Sequence, residues 1–143
     1  MNPKQYLTKI ITYRRALRRI EMRIEELYES ASGVKAITYD KDKVQSSPEN
    51  RIEKVMAEID SEKRQWDKLH AKYERELRKR VDMIARLDHA DHVEILMLRY
   101  VETDVSGHVL TFRRIADRMH ISEDRAKHLH GEALQAFGRR YKS

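Results

Sequence analysis

Apolar residues recur along the start of the chain at Tyr6, Ile10, Tyr13, Leu17, Ile20, Ile24, Leu27 and Ala31. The steps alternate four and three. That heptad seam predicts one long helix, from Pro3 to about Ser32, that needs a partner along its length. Asn2 stands where a cap is needed, Pro3 suits the first helical position, and Gln5 completes a capping-box spacing. Gly33 is the expected terminator. Val34 to Ser47, "VKAITYDKDKVQSS", has no helical period and reads as briefly extended or mobile chain. Ser47 as cap, Pro48 as first residue and Glu49 near the positive end of the dipole predict that a helix restarts there.

This second helix is expected to reach about Leu87. Its seam uses Ile52, Met56, Ile59, Trp66, Tyr73, Leu77, Ile84 and Leu87. Lys63, His70 and Arg80 interrupt it, with Leu69 and Val81 beside two of them. At ~1.5 Å per residue the second helix is ~60 Å long and the first ~45 Å. An antiparallel hairpin therefore leaves part of the second seam uncovered. The remainder must pack on the tail or on a second copy, and a dimer is the expectation, because a lone hairpin buries little core.

Past residue 88 the period changes. His92 to Val101, "HVEILMLRYV", predicts a short apolar helix, and Glu102 to His108, containing Ser106-Gly107, a turn. Thr111 can cap a helix carrying Phe112, Ile115, Ala116 and Met119. His120-Ile121-Ser122 then forms a tight turn, and Ser122 caps a helix carrying Ala126, Leu129, Ala133, Leu134 and Phe137. This is helix-turn-helix spacing. Ala116 is small where two backbones must approach, Ile121 is apolar at the turn, and Ala126 is small one turn into the second helix.

In such a unit the second helix lies in the major groove, and its first turns meet base edges. The inward positions leave Glu123, Asp124, Lys127, His128 and Gln135 facing out, with Arg125 near the boundary and within reach of a phosphate. Lys127 and His128 are the expected base contacts. Arg113, Arg114, Arg118, Arg139, Arg140 and Lys142 are the expected phosphate contacts. Glu123 and Asp124 favour the helix dipole but repel phosphate, and they can accept from a cytosine amino group. Gly131 costs about 1 kcal/mol inside a helix, so it marks a close neighbour or a bend.

The expected architecture is all-α. Residues 1–88 form a long antiparallel, coiled-coil-like hairpin and dimerisation region with a loop at 33–47. Residues 89–143 form the helix-turn-helix unit.

Charge adds to this picture. The formal net charge is +6 and the pI about 9.5. The excess sits at the two ends, while the middle is slightly acidic, which favours a polyanionic partner for the tail. Arg14, Arg15, Arg18, Arg19 and Arg23 lie off the first seam. A solvated face is the main reading for them, and an anionic contact the other.

Other classes fare worse. The absence of cysteine excludes disulfides and thiolate zinc sites. No apolar run approaches the ~20 residues of a membrane span, and Met-Asn-Pro-Lys-Gln does not begin a signal peptide. A soluble, intracellular protein is expected, without membrane contact. There is no glycine-rich phosphate loop and no Gly-flanked serine elbow, so neither an enzyme nor a cofactor is expected. His89 and His92, or His128 and His130, lack further ligands at metal-site spacing, so no metal is expected. Carboxylates such as Glu76, four residues before Arg80, read as surface ion pairs. Trp66 and the tyrosines read as seam packing, against base stacking.

"EILMLRYV", a variable loop and "TFRRIADRMHISEDRAKHLHGEAL" resemble region 4 of bacterial sigma factors. The matching features are Leu98-Arg99-Tyr100, Ile115-Ala116, Ile121-Ser122, Arg125 and Ala133-Leu134. The resemblance implies a module that reads an upstream promoter element and touches RNA polymerase. It puts base reading on Glu123, Asp124 and His128, with Arg125 and Lys127 nearby. The acid at Glu123 departs from the usual basic residue, which implies a different target sequence. Nothing resembles the regions that melt promoter DNA.

The whole chain also resembles phage and prophage regulators of the ArpU/RinA type. Val44-Gln45-Ser46-Ser47-Pro48 and Leu129 to Leu134, "LHGEAL", carry that likeness. It implies control of phage late genes together with host RNA polymerase. The rival reading is a helical protein-interaction module whose tail docks a protein.

Overall fold

The structure, a computed structural model, describes residues 2–32 and 48–142. The expectations for Gly33, for Val34 to Ser47 and for Ser47 as a cap lie outside the described residues. The elements are α1 (Pro3–Ala31), α2 (Pro48–Ala85), α3 (Ala90–Leu96), α4 (Phe112–Met119) and α5 (Glu123–Arg140). A π-helical turn, Met97–Val101, continues α3. The described residues contain no strand, only an isolated antiparallel bridge between Thr103 and Val109. The chain is all-α, with a helical hairpin and a C-terminal helix-turn-helix.

Both long helices form where the heptad pattern puts them. Asn2 caps α1 as expected: its Oδ1 accepts from the Gln5 backbone N–H at 3.2 Å. Cα packing groups the chain into two compact units, Met1–Tyr13 with Tyr73–Ser143, and Arg14–Lys72, so each long helix contributes to both. In each unit the helices run antiparallel. Tyr6 meets Arg80 and Met83, and Tyr13 meets Tyr73, in the first. Arg23 meets Glu62 and Tyr28 meets Lys63 in the second.

The first unit holds the main core. Leu7 and Ile11, off the predicted seam, are buried with Ile84, Ile95, Leu96, Leu110, Ile115 and Phe137. A second apolar ridge on α1 thus faces the tail helices while the seam faces α2. Arg80 is only 2% exposed. Its Nε donates to the Tyr6 carbonyl at 2.8 Å. Its Nη1 donates to Glu76 Oε2 at 2.8 Å and to the Glu76 carbonyl at 3.0 Å. The guanidinium also lies 3.8 Å from the Tyr6 ring centroid. The Glu76–Arg80 pair expected on the surface is therefore a partly buried one. Arg80 occupies a seam position because Nε, Nη1 and its flat charge find partners there. The hydrogen bond from Arg80 holds the Glu76 carboxyl below its usual range.

The second unit is thinner. Leu17 and Ile59 are buried there, while Ile20, Ile24, Leu27, Val55, Trp66 and Leu69 are only half-buried. The predicted seam fails at its start: Ile52 is 48% and Met56 41% exposed. Lys63 leaves the seam as well, donating from Nζ to Tyr28 Oη at 2.9 Å. Trp66 stacks on His70 with ring centroids 4.5 Å apart.

Candidate nucleic-acid interface

The helix-turn-helix forms from local signals. The Arg114 backbone N–H donates to Thr111 Oγ1 at 3.2 Å, and the Arg125 N–H donates to Ser122 Oγ at 3.1 Å. Each hydroxyl satisfies a backbone donor that a helix start leaves open. Between the helices the chain reverses at His120, whose φ of 59° is left-handed. Spacing alone predicts a tight turn here but does not single out the residue that bears the unusual backbone. The Ile121 N–H then donates to the Ala116 carbonyl at 3.0 Å, which closes the turn.

Inward and outward faces separate as the spacing predicts. Ile115, Ala116, Ala126, Leu129, Ala133 and Phe137 are buried, and Ile121 packs partly buried against the same core. Glu123, Asp124, Arg125, Lys127, His128 and Gln135 are exposed. So are Arg113, Arg114, Arg118, Arg139, Arg140 and Lys142.

The outward face of α5 is bridged by its own polar side chains. Lys127 lies 3.9 Å from Glu123, Arg125 3.8 Å from Glu132, and His128 Nε2 3.0 Å from the same Glu132 carboxylate. The candidate phosphate contacts differ among themselves. Arg118 stands 3.8 Å from Glu102 and Arg140 3.9 Å from Asp88. Arg113, Arg114, Arg139 and Lys142 enter no ion pair among the described residues.

Three features behind this face are not legible from spacing. Arg99 Nη1 donates to the Leu110 carbonyl at 2.7 Å, and its guanidinium lies 4.5 Å from the Phe112 ring centroid. It thereby fixes the entry into α4. His130, which the sequence offers only as a metal ligand, turns inward instead. Its Nε2 shares a 2.8 Å hydrogen bond with Tyr100 Oη, and its ring stands edge-on to Phe112 at 5.2 Å. Burial lowers its pKa to about 4, helped by the charges of Arg99 and Lys4, and burial pushes the Tyr100 hydroxyl up to about 12. The imidazole is thus neutral at physiological pH.

The third feature is the glycines. A Cβ at Gly131 would meet nothing within 4 Å, so Gly131 does not mark a close neighbour. The close approach is at Gly138, where a Cβ would lie 3.0 Å from Pro3 Cγ. Together with Tyr141, whose hydroxyl donates to the Met83 carbonyl at 2.6 Å, this contact ties the end of the chain to α1 and α2.

A unit with two capped short helices, a tight turn and one exposed polar face is a binding device. Residues 85–136 match the family model described as Sigma-70, region 4. The matched segment runs from the last residue of α2 through α4 and into α5, as far as residue 136. Sigma-70 region 4 is a DNA-binding regulatory domain and not an enzyme family, and such domains bind DNA and RNA polymerase. The tail of this chain is accordingly a sigma-70 region 4-like helix-turn-helix of the DNA-binding kind. No curated protein and no solved structure matches the chain. Among the described residues no helix is long and apolar enough to cross a membrane.

Proposed function

We propose that the chain is a sequence-specific regulator of transcription in a bacterial host, of the ArpU/RinA phage type, activating late genes with host RNA polymerase. Residues 89–143 supply the DNA-reading surface, and residues 1–88 supply a dimerising hairpin. The observation that carries the reading is the clean split of α5. Ala126, Leu129, Ala133 and Phe137 are buried, and Glu123, Asp124, Arg125, Lys127 and His128 are exposed just past a capped turn, inside the Sigma-70, region 4 match. Exposed helical residues at that place are those that reach base edges. Arg113, Arg114, Arg118, Arg139, Arg140 and Lys142 serve as phosphate contacts.

The dimer rests on the second unit. Met22, Tyr28, Ile52 and Met56, between 41% and 48% exposed, leave apolar surface that a second copy would cover. Two tails then read paired half-sites.

The test is enrichment of random duplexes on the purified protein at physiological ionic strength. A recovered motif with two-fold symmetry is expected. Lys127→Ala should weaken binding to all sequences, and His128→Ala should change preference at particular base pairs. If neither change alters affinity for a selected duplex, α5 is not the reading element.

A protein-docking tail is the second reading. The observation in its favour is an open groove of about 780 Å³ where Met97, Leu98 and Val101 lie among Glu94, Glu102, Arg118 and His120. Salt separates the two. Duplex binding falls steeply between 50 and 200 mM salt, roughly by 10³ or more when six or more phosphates are contacted, whereas apolar docking does not.

A further inference from the structure

The outward face of α5 presents a charge problem. A surface that meets a polyanion is expected to be basic, yet this one carries Glu123, Asp124 and Glu132 beside Arg125, Lys127 and His128. Glu123 and Asp124 sit in the first turn, where the helix dipole accounts for them. Glu132 has no such reason. It lies in the middle of the helix, and its one carboxylate is within 3.0 Å of His128 and 3.8 Å of Arg125. Both partners are candidate DNA contacts, and they lie on the turns that would enter a groove.

From this geometry we infer that Glu132 is a specificity-determining residue, a built-in competitor that keeps α5 from binding duplexes indiscriminately. The inference rests on the DNA-reading assignment of α5.

The physical sequence is short. A phosphate approaching Arg125 meets the Glu132 carboxylate 3.8 Å from the guanidinium, like charge against like. Arg125 alone therefore gains little from a phosphate on an arbitrary sequence. A correct site offers more. A base-edge acceptor takes Arg125 or His128, and an amino donor takes the released carboxylate. Discrimination comes from the penalty on the wrong site as much as from contacts to the right one.

The test uses the full chain, a duplex selected by enrichment and a scrambled duplex. Glu132→Gln keeps length and helix preference while removing the charge. Glu132→Met repeats the test with a different side chain, and circular dichroism checks that each variant is folded. Glu58→Gln makes the same change in net charge at an exposed position of α2 outside any ion pair among the described residues.

The expected result is that Glu132→Gln tightens binding to the scrambled duplex about fivefold or more, and that the selected-to-scrambled ratio falls by at least as much. The salt dependence on the scrambled duplex steepens by about one counterion as Arg125 becomes available. Glu58→Gln leaves the ratio unchanged.

If the wild type selects a site but Glu132→Gln alters neither duplex, the role of Glu132 is refuted and α5 remains the reader. Equal effects from Glu58→Gln and Glu132→Gln refute it too, since net charge alone then acts. If neither wild type nor variant holds any duplex, the DNA-reading assignment fails and takes this inference with it.

Discussion

The unit formed by Met1–Tyr13 with Tyr73–Ser143 and the unit formed by Arg14–Lys72 are built from the same two long helices. In the first, residues of the helix ends share one buried cluster with residues of α3, α4 and α5, and Leu7, Ile84, Ile95, Leu96, Leu110, Ile115 and Phe137 lose nearly all contact with water. In the second, among the described residues, α1 packs against α2, and of the seam only Leu17 and Ile59 are comparably buried. One heptad pattern thus has two outcomes. A seam becomes a core when a third layer covers its flanks. Where the described residues supply only two helices, the flanking apolar positions stay half wet.

The contrast between the units should be largest at Phe137. Phe137→Ala should cost about 3–5 kcal/mol, read as a fall in the denaturant midpoint and loss of the duplex-binding form. A variant that melts like the wild type would mean that the first unit is not the stability centre.

Next comes acidity. The native state holds His130 neutral with a pKa of about 4, against the ordinary 6.5 of an unfolded chain. Between those values the unfolded chain binds more protons. The stability that His130 contributes is therefore complete above pH 6.5 and lost as pH falls toward 4. Denaturation midpoints across that window should decline less steeply in His130→Gln. Parallel curves would show that His130 is not the titrating group.

In the second unit the expectation concerns assembly. Paired Ile52→Glu and Met56→Glu changes should leave the helical signal intact. They should shift sedimentation from dimer to monomer and remove the concentration dependence of melting. A dimer that survives them uses another surface.

The smallest effect is at Gly131. With open space around its missing Cβ, Gly131→Ala should stabilise the protein by up to about 1 kcal/mol. A rise in the thermal midpoint checks this.

Much of this arrangement is legible in the sequence, for identifiable reasons. Asn2, Thr111 and Ser122 announce their helices because capping is a contact over three residues. The outward set on α5 follows from helical period alone. Leu7 and Ile11 escape the pattern, because their apolar character serves a partner far along the chain and falls outside the strongest period. Arg80 misleads for the same reason. An arginine four residues after a glutamate looks like surface, and only the Tyr6 carbonyl and ring show why it is buried. Ile52 and Met56 keep the heptad spacing yet remain exposed, since period gives the face of a helix and not whether anything covers it. The Glu132 bridge joins positions seven apart as well as four apart, and spacing rules for single ion pairs do not single it out.

The contact of Pro3 with Gly138 bears on how the molecule can be cut. A fragment starting at residue 89 leaves behind Leu7, Ile11, Ile84 and Leu87, so its own interior would lie open to water and it should clump when expressed. The Tyr13 and Tyr73 rings, by contrast, have centroids only 6.4 Å apart. Splicing the chain there with a few flexible residues, deleting everything between, should yield a miniature that folds unaided and keeps the helix-turn-helix.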